Sequence, residues 1–157
     1  MSIEKDIHQQ SFRNPQQKAI VNLLFTYGWA IEKMKEFLSC ADITHQQFNI
    51  LRILRGAYPK PLSTLQIRER MLDKASDTSR IVDRLILKEL VEKKTCNKDK
   101  RLVDVTITEK GKALLQRLDA EQEKMDALTA NLSDEEAERL SFLLDKLRAN
   151  AGAAVNV

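Results

Sequence analysis

Two arginines one helical turn apart are the residues of this chain best suited to binding chemistry. Arg80 and Arg84 stand four positions apart, so in a helix they project from the same face. Apolar residues recur around them at close to helical spacing, which predicts a helix with one packed side and one free side. A guanidinium donates paired hydrogen bonds to a guanine edge or to a phosphate, so the pattern indicates a binding surface rather than a catalytic one.

A turn rich in cations follows this helix. The segments 91–96 and 102–108 are rich in β-branched residues, and the second alternates between apolar and polar side chains, as a half-buried strand does. Residues 97–101 therefore predict a hairpin tip that carries Lys98, Lys100 and Arg101. Cations on a narrow projection suit the minor groove of DNA, whose negative potential attracts them. Taken alone, such a turn is more often plain solvated surface, so the elements around it decide whether a DNA-binding role is favoured.

That context is a second helix upstream. Residues 62–71 predict a short helix, because Ser63 and Gln66 have the spacing of a capping box. A linker around residues 73–75 then leads into the helix that carries the arginines. The order is helix, turn, helix, strand, basic turn and strand, which is the order of a winged helix-turn-helix.

Four short runs of residues carry a resemblance to a known family. They are Ser79-Arg80 with Val82-Asp83-Arg84-Leu85, Leu90-Val91-Glu92-Lys93, Asp99-Lys100-Arg101, and Thr108-Glu109-Lys110-Gly111. In these runs the chain resembles the MarR family of bacterial transcription regulators, and the match extends over nearly the whole chain. Glu89 stands where that family usually has glycine, so a left-handed helix cap there would carry a strain of about 1 kcal/mol.

The resemblance implies a mostly α fold with a small β-hairpin wing, in which terminal dimerisation helices accompany the winged helix-turn-helix. Residues 1–157 would then form a single domain, with a DNA-binding lobe at about residues 44–108. Dimerisation helices are expected at about residues 14–40 and 108–150.

The flanks of the chain also predict helices. Three helix starts are marked by capping residues, namely Asn14 with Pro15, Thr44 with Gln47, and Ser133 with Glu136. Thr108 is predicted to open one long helix that runs past Leu128, charged over much of its length and with only a narrow apolar stripe. The outer helices could cover the winged domain of a monomer. A second subunit would bury them better, so we expect a homodimer.

Composition and charge agree with a small globular DNA-binding protein. The net charge is only +3 and 31% of the residues are charged, which excludes a disordered polycation. The charge is unevenly distributed, because residues 60–101 hold 12 Lys or Arg against 7 Asp or Glu, whereas residues 102–157 hold 7 against 11. The middle of the chain is therefore the part suited to phosphates.

Other classes of protein find little support in the sequence. Cys40 and Cys96 are too few for a disulfide framework and lack neighbours at metal-ligand spacing. We find no nucleophile motif and no glycine-rich phosphate loop, so we expect no enzyme activity, no cofactor and no metal. No apolar stretch could span a bilayer and no secretion signal is evident, so we expect a cytoplasmic protein without a membrane partner.

The expected ligand of the central region is double-stranded DNA. The residues expected to bind it are Ser76, Thr78, Ser79, Arg80, Arg84, Lys98, Lys100 and Arg101. Asp99 is expected to hold the wing turn and Arg101 rather than touch DNA. For Arg84, an ion pair with the adjacent Asp83 is an open alternative to a DNA contact.

The expected function is that of a regulator, most simply a repressor, which binds a pseudo-palindromic operator as a homodimer. The competing hypothesis is a winged-helix module that binds a protein partner. The resemblance implies a small phenolic or anionic inducer, for which Tyr27, Trp29 and Met34 are candidate binding residues. Such residues at helical spacing are more often part of a core. Redox sensing through Cys40 or Cys96 is the other candidate form of regulation.

Overall fold

The computed structural model describes residues 2–95 and 103–149, and it is mostly helical with one small sheet. In chain order the elements are α1 (Ile3–Asp6), α2 (Pro15–Leu38), a 3-10 turn (Ser39–Ala41), α3 (His45–Ala57), β1 (Leu62–Ser63), α4 (Thr64–Arg70), α5 (Thr78–Leu87), β2 (Val91–Thr95), β3 (Val103–Ile107), α6 (Glu109–Asp119), α7 (Glu123–Asp126), a second 3-10 turn (Ala127–Thr129) and α8 (Asp134–Ala149). The predicted fold class is confirmed.

The chain divides into two units, Met1–Asp119 and Ala120–Val157. The first contains α1 to α6 and the sheet, and its core is built from apolar residues of α3, α4, α5, α6 and all three strands. The second contains α7 and α8, and none of its described residues is buried. The division into a DNA-binding lobe and dimerisation helices that the sequence predicts stays a prediction.

The predicted helix starts agree with the hydrogen bonds at the helix ends. At the start of α3, Gln47 N–H donates to Thr44 Oγ1 at 3.2 Å and Thr44 N–H donates to Gln47 Oε1 at 3.0 Å. Ser63 and Gln66 exchange the same two bonds at the start of α4. These reciprocal bonds satisfy backbone donors that the first turn of a helix leaves without partners, so they define where each helix begins.

The sheet has three antiparallel strands in the order β1-β3-β2. β2 and β3 form the predicted hairpin, with Val91 opposite Ile107. β1 was not predicted. It pairs Leu62 with Val105 on the other edge of β3, and at two residues it is too short to show the alternation by which a strand is recognised.

The chain makes a close crossing between the end of α5 and the start of α6. Glu89 adopts the left-handed conformation at φ 60°, and Leu90 N–H donates to Leu85 O at 3.0 Å, which closes the helix as a Schellman cap does. Thr108 then binds this cap twice. Its N–H donates to Leu90 O at 3.1 Å and its Oγ1 donates to Glu89 O at 2.8 Å. The left-handed cap expected at Glu89 is therefore present without glycine.

Gly111 lies at the centre of this crossing. A Cβ atom built on Gly111 would stand 2.3 Å from Leu90 O and 2.8 Å from Ile107 Cγ1, distances that real Cβ atoms do not tolerate. The motif Thr108-Glu109-Lys110-Gly111 thus combines a bond to the helix cap with the residue that leaves room for it.

The prediction of one long helix after the wing was wrong, because the helix observed there is shorter. α6 ends at Asp119, and residues 120–122 form a turn before the short α7. Leu118 is the last buried residue in the described part of the chain, up to residue 149. Helix propensity alone is marginal in water, so a charged segment without buried side chains has little to keep it in one helix.

We expect Gly111→Ala to lower the free energy of unfolding by about 1–3 kcal/mol, because the new methyl group overlaps backbone that cannot move without breaking the crossing. Gly56→Ala, near the end of α3, is the matched control. Nothing lies within 4 Å of its Cβ position, and alanine favours a helix over glycine by up to about 1 kcal/mol. Urea unfolding of the two variants measures both changes. Equal stability of Gly111→Ala and the parent would contradict the crossing.

Candidate nucleic-acid interface

The start of α5 is fixed by acidic side chains of the turn before it. Asp77 Oδ1 accepts from Arg80 N–H at 3.2 Å and so caps the helix. Four residues earlier, Asp73 accepts from Ser76 Oγ and from Ala75 N–H. The bond from Ser76 is the main reason why the pKa of Asp73 lies below its usual range. The orientation of α5 is thus set where the polypeptide enters the helix.

One face of α5 is packed and the other is open. Val82 and Leu85 are buried in the core, where α5 packs against α3 and α4. Arg80 and Arg84 are both exposed. Within residues 2–95 and 103–149, neither guanidinium forms an ion pair with an acidic side chain. Both are therefore available to an external anion.

The acidic neighbour of Arg84 has another partner. Lys93 Nζ, on β2, lies 2.6 Å from Asp83 Oδ1. The ion pair that was an alternative role for Arg84 is thus made by Lys93 instead. This pair joins β2 to α5, and the ten-residue separation gave no signal for it in the sequence. Exposed ion pairs of this kind contribute little stability, about 0–1 kcal/mol, but they can fix an orientation.

The three hydroxyl residues predicted to bind DNA occupy different environments. Ser79 is exposed beside Arg80, as the prediction requires. Ser76 is half-buried and donates its hydroxyl hydrogen to Asp73. Thr78 is only 5% exposed, and its Oγ1 donates to Met71 Sδ at 3.3 Å. The packing of Thr78 does not support the predicted DNA contact from its side chain, because helical periodicity turns it towards the core.

The tip of the wing lies outside the described residues. Lys98, Asp99, Lys100 and Arg101, which were predicted to form the basic turn, belong to that segment. The strands that lead into it and out of it are described and are paired from Val91↔Ile107 to Thr95↔Val103. The roles of the four tip residues stay predictions.

A shallow groove runs beside the exposed face of α5. It has a volume of about 220 Å³, and its lining includes Arg80, Arg84 and Asp77. Most of the remaining lining comes from the start of α3, so the two guanidinium groups make this side of α5 suited to a polyanion.

A second, more apolar cavity of about 420 Å³ lies between α2, α3 and the turn that follows α4. Of the three residues predicted to bind an inducer, Tyr27 and Met34 line this cavity and Trp29 does not. Trp29 is exposed on α2 instead, and the predicted inducer role of all three residues stays a prediction. The spacing from Tyr27 to Trp29 is two residues, which in a helix turns the two side chains about 200° apart.

Three titratable side chains line this cavity, namely His45, Arg52 and Asp73. Burial is the main cause that lowers the pKa of His45 below its usual value, which favours the neutral imidazole. The guanidinium of Arg52 stands 5.7 Å from the centre of the Phe48 ring. The cavity therefore combines apolar walls with one cation, Arg52, and one carboxylate, Asp73, so a small aromatic anion would fit only with its charged group beside Arg52 and away from Asp73.

Other kinds of site find no support in the described residues. Residues 2–95 and 103–149 contain no group of three acidic, histidine or cysteine side chains placed to hold a metal ion. In the same residues no helix is both long enough and apolar enough to cross a bilayer. Cys40 is a free, exposed thiol, and Cys96 lies outside the described residues.

Comparison with known proteins gives consistent results. Residues 43–103 match the sequence model of the MarR family. The multiple antibiotic resistance protein MarR of Escherichia coli K12 is 31% identical over 116 residues, which cover 73% of this chain and 79% of that protein. A crystal structure of a MarR transcription factor from Planctomyces limnophilus is 30% identical with a TM-score of 0.66, covering 86% of this chain and 98% of the other.

A further similar structure includes DNA. It is a crystal structure of a mutant MarR from E. coli complexed with operator DNA, with 25% identity and a TM-score of 0.71. The match covers 94% of this chain and 99% of that one.

The burial of Thr78 can be tested against DNA binding. Thr78→Val keeps the shape of the side chain and removes the bond to Met71, so we expect a loss of stability of about 0.5–1.5 kcal/mol. Duplex affinity, measured by fluorescence anisotropy, should stay within about twofold of the parent value, because the hydroxyl does not face solvent. A tenfold loss of affinity at unchanged stability would show that this hydroxyl contacts DNA.

Proposed function

This chain belongs to the MarR family of transcription regulators, and from that premise we propose that it represses transcription by binding a pseudo-palindromic operator as a homodimer. In this proposal α5 is the recognition helix and enters the major groove of DNA. The hairpin of β2 and β3 is the wing, whose basic tip reaches the backbone and the minor groove beside it.

The observation that carries the proposal is the pair of exposed guanidinium groups on α5. Val82 and Leu85 hold this helix in the core from behind, so Arg80 and Arg84 stand on a rigid support. A rigid Arg is the usual donor to guanine in the major groove and is also a good phosphate ligand. The E. coli MarR complex with operator DNA, which this chain matches over 94% of its length, supports the same assignment.

The homodimer is supported by apolar side chains on two helices, each considered by itself. On α2 the exposed large apolar residues are Ile20, Leu24, Phe25, Tyr27 and Trp29. On α8 they are Leu140, Phe142, Leu143 and Leu147. On α8, Leu140, Leu143 and Leu147 share one face by helical spacing. Exposed apolar surface of this kind mostly marks an interface, and a two-fold dimer suits a palindromic site. Trp29, exposed on α2, is assigned to this interface.

We assign the proposed inducer to the cavity between α2 and α3. Its walls are mostly apolar, and Arg52 is the side chain that would face a carboxylate or phenolate. Tyr27 and Met34 would contact the ring of a small aromatic anion. Leu72 and Asp73 of the helix-turn-helix turn line the same cavity, so a bound molecule would touch the segment that leads into α5.

The competing function, a winged-helix module for a protein partner, differs in its dependence on salt. A DNA-binding regulator should bind nonspecific duplex at low salt and lose that affinity steeply as the salt concentration rises. The reason is that Lys and Arg bound to phosphates release counterions from the DNA, and this release is less favourable at high salt. A protein-binding module need show neither property. A titration of duplex DNA between about 50 and 200 mM salt therefore separates the two functions.

Substitution of Arg80 tests the recognition helix. If Arg80 reads a base, Arg80→Ala should weaken operator binding by about 1–3 kcal/mol and relax the preference at one position of each half-site. If Arg80 binds a phosphate, all sequences should weaken about equally. Selection profiles of the parent and the variant measure this difference. Identical profiles at identical affinity would remove Arg80 from the interface.

The role of α8 can be tested by introducing a charge. Leu143→Glu places a carboxylate in the exposed apolar stripe and should shift the protein towards monomers, because an unpaired charge buried in an interface is costly. Ser141→Glu adds the same charge two residues away, on the opposite side of the helix, and is the matched control. Sedimentation equilibrium measures both. A dimer that tolerates Leu143→Glu as well as Ser141→Glu would exclude this face of α8 from the interface.

A further inference from the structure

Beside the burial of Met71 in the core, one side-chain hydrogen bond joins the turn between α4 and α5 to α3 in the described part of the chain. Leu72 N–H donates to Asn49 Oδ1, on α3, at 2.9 Å. The other hydrogen bonds of residues 71–77 in the described structure stay within the helix-turn-helix itself. They are the bonds of Met71 N–H to Arg68 O, of Asp73 to Ala75 and Ser76, of Arg68 Nε to Lys74 O, of Thr78 to Met71, and of Asp77 to Arg80 and Ile81.

This bond has little support from packing at its own residue. Leu72 is 90% exposed, so its own side chain buries little apolar surface that could hold this part of the turn in place. Asn49 is half-buried in the middle of α3, a helix whose neighbouring residues Ile50 and Leu51 belong to the core. The rigid partner is therefore α3, and the turn is the part that it holds.

The position of this turn matters because α5 starts directly after it. Asp77 caps the helix that carries Arg80, and Asp73 organises the residues in between. A displacement of the turn would move the N-terminal half of α5, the half that approaches base edges in a helix-turn-helix. A small displacement of this half weakens paired hydrogen bonds from arginine to a base more than it weakens contacts with phosphates.

We propose that Asn49 is a positioning residue for DNA recognition, which holds the turn between α4 and α5 so that the recognition helix keeps its orientation. This inference rests on the proposed function. The bond between Leu72 and Asn49 lies at the edge of the cavity between α2 and α3, because Asn49, Leu72 and Asp73 all line that cavity. A molecule in the cavity would then contact both partners of the bond.

The test compares two substitutions at the same position. Asn49→Ala removes the acceptor, whereas Asn49→Asp keeps an oxygen at the same place. Alanine has a higher helix propensity than asparagine, which offsets the lost bond in the stability of the fold. We therefore expect a melting temperature close to that of the parent for Asn49→Ala. Gln116→Ala, which removes an exposed amide from α6, controls for loss of such a side chain elsewhere.

The first measurement is affinity for a duplex enriched from random sequence and for an unrelated duplex. Asn49→Ala should lose roughly tenfold in affinity for the enriched duplex and change little on the unrelated one, because phosphate contacts set nonspecific binding. Asn49→Asp should recover most of this loss. Equal losses on both duplexes, or parent-like affinity of Asn49→Ala, would overturn the proposal.

The second measurement is hydrogen exchange of the Leu72 amide, which does not depend on DNA. In the parent and in Asn49→Asp this amide should be protected, and in Asn49→Ala it should exchange at close to the rate of an unprotected amide. An unprotected Leu72 amide in the parent would contradict the inference directly. If the parent shows no sequence preference at all, the proposed function fails, whereas the exchange result still decides whether Asn49 holds the turn.

Discussion

The structure depends most on the close crossing between the end of the recognition helix and the start of α6. Thr108 donates to the carbonyl groups of Glu89 and Leu90, and Gly111 leaves the space that this approach needs. Because these bonds join backbone to backbone and side chain to backbone, they hold the base of the wing to the helix end. Lys93 and Asp83 add a second link further along β2. These contacts fix the base of the wing against α5, which the proposed binding of both elements to adjacent grooves requires.

The binding face follows from how α5 is divided between core and solvent. Burial of Val82 and Leu85 fixes the roll of the helix about its own axis, and that roll leaves Arg80 and Arg84 outside. The same roll places Thr78 inside, where its hydroxyl bonds to Met71. The position of the helix along its axis is set separately, by the caps and by the turn that precedes it. Recognition by this fold thus requires both the core and the turn.

Local sequence patterns predicted most helix starts, the face of α5 and the main strands of the sheet. The capping pairs, the arginine spacing of α5 and the alternation in β3 depend on nearby residues, and the structure agrees with each. The features that the sequence did not predict depend on contacts between distant segments. They include the two-residue strand β1, the end of α6 at Asp119, the pair of Lys93 with Asp83 and the bond from Leu72 to Asn49. The sequence also grouped Trp29 with Tyr27 and Met34, whereas only the latter two line the cavity, because periodicity gives a helix face but not the cavity that the face borders.

Selection of bound duplexes from random sequence with the full chain tests operator binding by a homodimer most directly. We expect enrichment of two inverted half-sites whose centres lie about one helical turn, about 10 base pairs, apart, because two recognition helices related by a two-fold axis would occupy successive major grooves. The salt dependence of binding to the enriched duplex should be steep. Absence of any enriched sequence, or enrichment of a single site without inverted symmetry, would contradict binding of an operator by a homodimer.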